Sequence, residues 1–455
     1  MGNILYYSTN LKTHAISFKE ALLKGLAPDK GLFMPECIPA IDVNELRELK
    51  GKSYPDTAKV IANKFLAGEI DPEDLESLVE DAYNYPVPLE NVHEKKYILR
   101  LDQGPTASFK DFAARLMARL MNYFMRDENR NLTILTATSG DTGSAIANAF
   151  YGLENIKVVI LFPEKEVTDR QRKQMTTLER NIKTLGVDGK FDDCQAMVKE
   201  AFADPELNYL NLSSANSINI GRLIPQSFYY FYAYCQSAEN PGEEEVIFSV
   251  PSGNFGDLMG GMLAKEMGLP VKRFVVSTNK NNEFPVFMES GDYRIISPSI
   301  NCISSAMNVG HPSNMSRLFA IYGGIMNEKG DIVKEPNFAK MQREIFSSSV
   351  DDNETRATIK STWDKYQVLL EPHGAVGWAG LQHYFSKNKS DSDPGQLSIC
   401  LETAHPAKFP VEINNILGFD PKLPNSLENL EGKNEFFERI SNKYSDFKKY
   451  LKINF

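Results

Sequence analysis

Lys110 lies in Gln103-Gly-Pro-Thr-Ala-Ser-Phe-Lys110-Asp-Phe-Ala-Ala-Arg-Leu116, where a Gly/Pro-punctuated segment gives way to a helical pattern. Phe112, Leu116, Leu120 and Phe124 recur at helical spacing, and Ser108 is the candidate N-cap. Lys110 then falls in the first turn, near the positive end of the helix dipole. That potential disfavours the ammonium form and leaves a more nucleophilic amine, as imine chemistry requires. An arbitrary lysine is a solvated surface residue, so the case rests on the segments that accompany this one.

Two of these are glycine-bearing turns, each between an apolar run and a helical pattern. They are Thr138-Ser-Gly-Asp-Thr-Gly143 and Pro251-Ser-Gly-Asn-Phe-Gly-Asp257. Glycine lets backbone amides approach a ligand, and the helix start behind them attracts anions. Either turn alone also reads as an ordinary strand-to-helix connection. Neither fits a dinucleotide or P-loop fingerprint, which disfavours a nucleotide-binding protein. A third segment, Ser213-Ser-Ala-Asn216-Ser217-Ile-Asn219-Ile-Gly-Arg222, gathers small polar groups and one guanidinium ahead of an apolar helix at 223–234. Arginine pairs bidentately with phosphate, and Asn and Ser can complete a cage; a capped helix with a surface arginine is the competing reading. A fourth, Glu402-Thr-Ala-His405-Pro-Ala-Lys408-Phe, sets a small hydroxyl beside a histidine. His405, and His373 in Glu371-Pro-His-Gly, are read as structural first and catalytic second.

The elements that position these groups alternate. Strands are expected at 132–137, 157–162, 245–250 and 271–277, with helices at 144–150 and 257–267 between them. Continuous apolar strands alternating with helices signal parallel sheets covered on both faces. Before them, 15–85 reads mainly helical, with segments at 17–24, 44–49, 56–65 and 72–83, and 85–89 as a linker. Residues 386–396 read as a polar surface loop, and 434–453 as a charged amphipathic helix.

The chain's 455 residues exceed one compact core. The expected division is 1–90, an N-terminal mainly helical region; 91–235, an α/β domain with the lysine; and 236–455, a second α/β domain with a C-terminal helix. A net charge of −10 argues against nucleic acid and anionic membranes as partners. Five scattered cysteines without metal spacing fit a reducing, cytoplasmic compartment and no metal site. Gly2 invites a myristoylation reading that Tyr7 fits poorly. No apolar run is long enough to span a membrane.

Together these segments resemble the threonine synthases, pyridoxal-phosphate enzymes of the tryptophan-synthase-β-like group (fold type II). Further matches are Tyr7-Ser-Thr and Leu26-Ala-Pro-Asp-Lys-Gly-Leu-Phe-Met-Pro35, and the N-terminal region looks like that of the longer microbial and fungal type. The resemblance covers nearly the whole chain. It implies two parallel-sheet α/β domains, pyridoxal 5'-phosphate as cofactor, and conversion of O-phospho-L-homoserine and water to L-threonine and phosphate by a carbon–oxygen lyase acting on phosphates. It implies that Lys110 carries the cofactor and shuttles protons. Gly253, Asn254, Phe255, Gly256 and Asp257 match the loop whose amides hold the cofactor phosphate. Thr403 matches a hydroxyl facing the ring nitrogen, a neutral partner that leaves that nitrogen largely unprotonated. Ser139, Gly140, Thr142 and Gly143 match the grip on the substrate carboxylate. Asp141 matches a position near the phenolic oxygen, where some relatives carry Asn. Asn216, Ser217 and Arg222 match the substrate-phosphate cage. Gln103 stands where relatives often show histidine and receives no role. A phospho-lyase making 2-oxobutyrate, threonine dehydratase and a β-replacing synthase are the alternatives on the same fold; a catalytically silent homologue is the alternative of another class. The assembly is expected to be a monomer or homodimer.

Overall fold

The computed structural model describes residues 3–126 and 131–455; Gly2 lies outside them. Two parallel sheets dominate. A six-stranded sheet runs in the order Ile345–Ser349, Val271–Thr278, Val246–Pro251, Leu397–Glu402, Lys96–Arg100 and Leu89–His93, all parallel except the last pair. A five-stranded, fully parallel sheet runs Glu438–Ser441, Ile182–Asp188, Ile156–Pro163, Leu132–Ala137 and Leu212–Ser214. Every residue of Leu132–Ala137 and Val246–Pro251 is buried. That is why those strands read as unbroken apolar runs.

The sheets do not divide at residues 90 and 235. The six-stranded sheet takes Lys96–Arg100 from the front of the chain, and the five-stranded sheet takes Glu438–Ser441 from its end. The expected helix at 434–453 is therefore corrected to the strand Glu438–Ser441 followed by the helix Tyr444–Asn454. Pairing with Ile182–Asp188 overrides the local helical pattern. The expected loop at 386–396 begins with the last turn of Pro372–Lys387 and a short helical turn, Lys389–Asp391.

The N-terminal region forms as expected, with helices Phe18–Lys24, Val43–Glu48, Tyr54–Leu66 and Pro72–Ala82. Ser17, Asp42, Ser53 and Asp71 cap them by accepting first-turn amides. Among the described residues no helix is long and apolar enough to cross a membrane.

The lysine helix, Lys110–Met125, is anchored through Phe112. That ring has Tyr54, Tyr83, Tyr85 and Tyr229 within 5.2–6.1 Å between centroids. Tyr83 also donates to the Phe112 carbonyl at 3.0 Å. Truncating such a ring costs about 3–5 kcal/mol, so the first turn of this helix is held rigidly.

Candidate active site

Lys110 begins its helix, as the spacing predicts, but Ser108 is not the cap. Phe109 occupies that position in helical conformation with no side-chain bond. Ser108 instead bridges to Ala404, flanked by Phe109 N–H to Thr403 O at 2.9 Å and His405 N–H to Ala107 O at 3.0 Å. The lysine segment and the 402–405 segment thus run together like a short pair of strands, with Phe109 opposite Thr403 immediately before Lys110. Gly104 is required here. A Cβ on it would lie 2.4 Å from Asp111 Oδ2, and that buried carboxylate accepts from Thr106 N–H at 2.8 Å and Thr106 Oγ1 at 2.6 Å.

Lys110 Nζ lies 3.8 Å from Asp141 Oδ2 and 4.8 Å from the Phe109 ring centroid. Burial lowers its pKa; Asp141 works against that, and Lys408 and Arg222 reinforce it. Asp141 is itself pushed up by burial, but the charges of Lys408 and Lys110 override this and hold it well below the usual carboxylate range.

The two glycine turns flank this amine. In the first, the Thr138 hydroxyl accepts from the amides of Gly140 at 2.9 Å and Gly143 at 2.8 Å. Those two donors are spent inside the turn. The first-turn amides of the helix Asp141–Phe150, Asp141 and Thr142 among them, remain outside the helical ladder. Ser139 and Thr142 are part-exposed beside them.

In the second turn Phe255 adopts φ +60° and leads into the helix Gly256–Glu266, its ring packed on Phe284 at 4.9 Å. A Cβ on Gly253 would lie 2.8 Å from Met307 Cα. Asn254 donates to Ser217 Oγ at 2.6 Å and accepts from the Ser313 amide at 2.5 Å. Asp257 turns away from the turn: its carboxylate accepts from Tyr229 at 2.6 Å and Tyr230 at 2.9 Å, and burial raises its pKa to about 6. Only the backbone of Asp257 is placed to serve a ligand of this turn.

Ser217 lies beside Gly256, whose added Cβ would be 3.3 Å from Ser217 Cβ, and Asn216 Nδ2 donates to Ala137 O at 3.4 Å. Arg222 is buried; Nη1 donates to Ala215 O at 2.9 Å while Nε finds no partner. Burial lowers its pKa to about 10, and no carboxylate pairs with it among the described residues.

Several residues here escaped the sequence reading. Arg317 has no exposed surface and no acidic partner among the described residues, and burial lowers its pKa to about 9. It donates to the carbonyls of Ser217 at 3.0 Å, Ile218 at 2.7 Å and Phe33 at 3.2 Å, and to Asn314 Oδ1 at 2.7 Å. It thereby ties the cage to the N-terminal region. The available signal was Ser313, Asn314 and Arg317 grouped within five residues. Glu371 caps the helix Pro372–Lys387 and accepts from the Thr403 hydroxyl at 3.5 Å. Thr403 therefore presents its oxygen to a ligand with its proton directed at Glu371. His373 bridges Glu371, through Nδ1 at 2.5 Å, to the Ala306 amide, through Nε2 at 3.0 Å. His405 accepts from the Ala407 amide at 3.1 Å. Both histidines are occupied structurally. Gln103 donates to Asp102 at 2.8 Å.

An amine that carries its charge at a cost, facing a glycine cradle at a helix start with a hydroxyl across from it, suits pyridoxal phosphate. A glycine turn opening a helix suits one phosphate group, and a buried guanidinium with an unpaired Nε suits another. Fold and site thus define a pyridoxal-phosphate-dependent enzyme of fold type II. Residues 84–396 match the family model of pyridoxal-phosphate dependent enzymes; 5–83 match the threonine synthase N terminus and 374–451 the threonine synthase C-terminal region. Threonine synthase of Haemophilus influenzae is 39% identical over 450 residues, covering 98% of this chain and 99% of its own. That of Escherichia coli is 41% identical over 423 residues, 92% of each chain. A solved pyridoxal-phosphate-bound threonine synthase from Brucella melitensis superposes with a TM-score of 0.90 at 35% identity over 99% of both chains. The chain belongs to the threonine synthase family.

Proposed function

We propose that the chain converts O-phospho-L-homoserine and water to L-threonine and inorganic phosphate. The observation that carries this is Arg222: a buried guanidinium with an unpaired Nε and, among the described residues, no acidic partner. Such a charge calls for an anion, and a phosphate ester supplies one. Threonine dehydratase handles no phosphate on its substrate and would leave Arg222 without a partner.

Pyridoxal phosphate, when bound, supplies the electron sink for charge developing on the substrate carbons. The residues do the rest. Lys110 would hold the cofactor covalently and, once freed, would take the proton from the substrate Cα and later return it. The 252–257 turn would hold the cofactor phosphate through its amides, and Thr403 and Asp141 would supply the polar side chains beside its ring. First-turn amides at 141–142, with Ser139 and Thr142, hold the substrate carboxylate at the positive end of the helix. Asn216, Ser217 and Arg222 hold the phosphate at Cγ. As its bond to Cγ breaks, the charge gathers beside Arg222, which is already in place. Water adds at Cβ. The five unpaired thiols support a reducing, cytoplasmic setting.

Incubation with O-phospho-L-homoserine and pyridoxal phosphate tests the reading. Threonine and phosphate in equal amounts are expected; 2-oxobutyrate with phosphate would indicate the phospho-lyase, and no reaction would indicate a silent homologue.

A further inference from the structure

Lys408 closes the turn Pro406–Lys408 and has no exposed surface. Its Nζ lies 2.6 Å from Asp141 Oδ1 and donates to Thr106 O at 2.9 Å. Gln171 Nε2 donates to the same Asp141 oxygen at 2.9 Å. Asp141 Oδ1 is therefore saturated, and Oδ2 is turned to Lys110 at 3.8 Å. One buried carboxylate stands between two buried amines. A buried ion pair of this kind often contributes little net stability, so its presence asks for another reason.

Lys110 must be neutral to attack a carbonyl. A lone aspartate at this distance would hold it as the ammonium. We infer that Lys408 is a positioning residue for Lys110: it fixes Asp141 through one oxygen and offsets its charge, so that Lys110 faces a near-neutral pair and stays available as a free amine. The other charged groups are consistent with this. Arg222 acts on Lys110 in the same sense as Lys408, and Glu371 opposes it. Asp257 also feels Lys110, while Asp111 and His405 feel Lys408. Of these, Lys408 alone contacts Asp141 directly.

The inference rests on Lys110 being the imine-forming amine, and the experiment separates the two. Borohydride reduction of the pyridoxal-phosphate-loaded chain, followed by peptide mapping, reads which lysine is used. The pH midpoint of Lys110 modification in the apo-chain, by a small neutral amine-reactive reagent, reads the effect of Lys408. Lys408→Met should raise that midpoint by on the order of one pH unit and slow pyridoxal phosphate capture at neutral pH about tenfold. Asp141→Asn should lower the midpoint. Lys408→Met combined with Asp141→Asn, which buries no unpaired charge, should bring it back toward the parent. A merely structural role would not show that restoration. An unmoved midpoint in Asp141→Asn, or a double variant no closer to the parent than Lys408→Met, overturns the inference. Should Lys408→Met fail to fold, the Asp141→Asn midpoint and the double variant still decide. Label on Lys408 instead of Lys110 overturns the underlying assignment.

Discussion

The backbone of the turn at 138–143 braces itself, the Thr138 hydroxyl accepting two of its amides, although its carboxylate, Asp141, is fixed from outside by Gln171 and Lys408. The turn at 252–257 does not brace itself. Asn254 is clamped by Ser217 and Ser313, Asn314 donates to the Asn254 carbonyl at 2.8 Å, and Arg317 holds Asn314 and Ser217 in place. A locally braced turn can be read from a few adjacent residues. A remotely braced turn depends on segments 37 to 60 positions away, as Ser217 and Asn314 are from Asn254. Damage to the second turn should therefore spread to Ser217 and its neighbours, whereas loss of the Thr138 hydroxyl should stay within the first turn's backbone.

The largest effect is expected from Gly253→Val. Its side chain would meet the Met307 backbone at 2.8 Å, where nothing flexible can yield. Apo-chain titration should show cofactor affinity weakened by about 100-fold or more, a loss of about 3 kcal/mol. Normal binding by this variant, with loss in Thr142→Val, would mean the two turns have exchanged roles. Next is Arg222→Lys, which keeps charge and loses the planar fork. Loss of one charge-assisted contact, about 1.5–3 kcal/mol, should lower kcat/KM for the phosphorylated substrate roughly 10- to 100-fold. Cofactor affinity should not change; a fall in both would show that cage and cofactor turn are one unit.

Thr142→Val should act more mildly, raising the amino-acid Kd by about fivefold, the worth of one hydrogen bond of about 1 kcal/mol. The imine absorbance of the loaded chain should be unaffected. The smallest effect concerns Asp257, whose folded pKa is raised from 3.8 to about 6 by burial. A raised folded pKa means a contribution to stability present below pH 3.8 and lost as pH rises through 6. Above that window the carboxylate costs stability that an amide would not. Asp257→Asn should thus gain on the order of 1 kcal/mol relative to the parent between pH 4 and pH 8, read by urea unfolding at both. No gain would indicate that the charged form is better served by Tyr229 and Tyr230 than their geometry implies.

Much of the strand–helix alternation and the placing of Lys110 were legible because each depends on neighbours in sequence. Apolar runs such as 132–137 and 246–251 admit no other reading once buried on both faces, and the glycine turns follow from where those runs end. What was illegible depended on pairing. Ser108 reads locally as a cap, yet the chain there is bound to Ala404. Glu438–Ser441 reads as helix, yet it joins Ile182–Asp188. Lys408 stood within a recognised motif, but nothing local tells that its amine reaches Asp141. Arg317 lay outside every segment singled out, because its task is to bond carbonyls at 33, 217 and 218 that sequence does not bring near.

The pairing of the lysine segment with residues 403–405 also sets a schedule. Thr106 and its partner Lys408 are separated by 302 residues, so a ribosome releases the first long before the second. At ordinary synthesis rates of about 5–20 residues per second, the interval is roughly 15–60 s. During that time the nascent chain carries Lys110 without Thr403, Lys408 or the carbonyl of Thr403 that receives the Phe109 amide. On the roles proposed for Lys110 and Thr403, chains that stop before residue 408 carry no built cofactor site, and free aldehyde cofactor meets one only after residue 408 has been released.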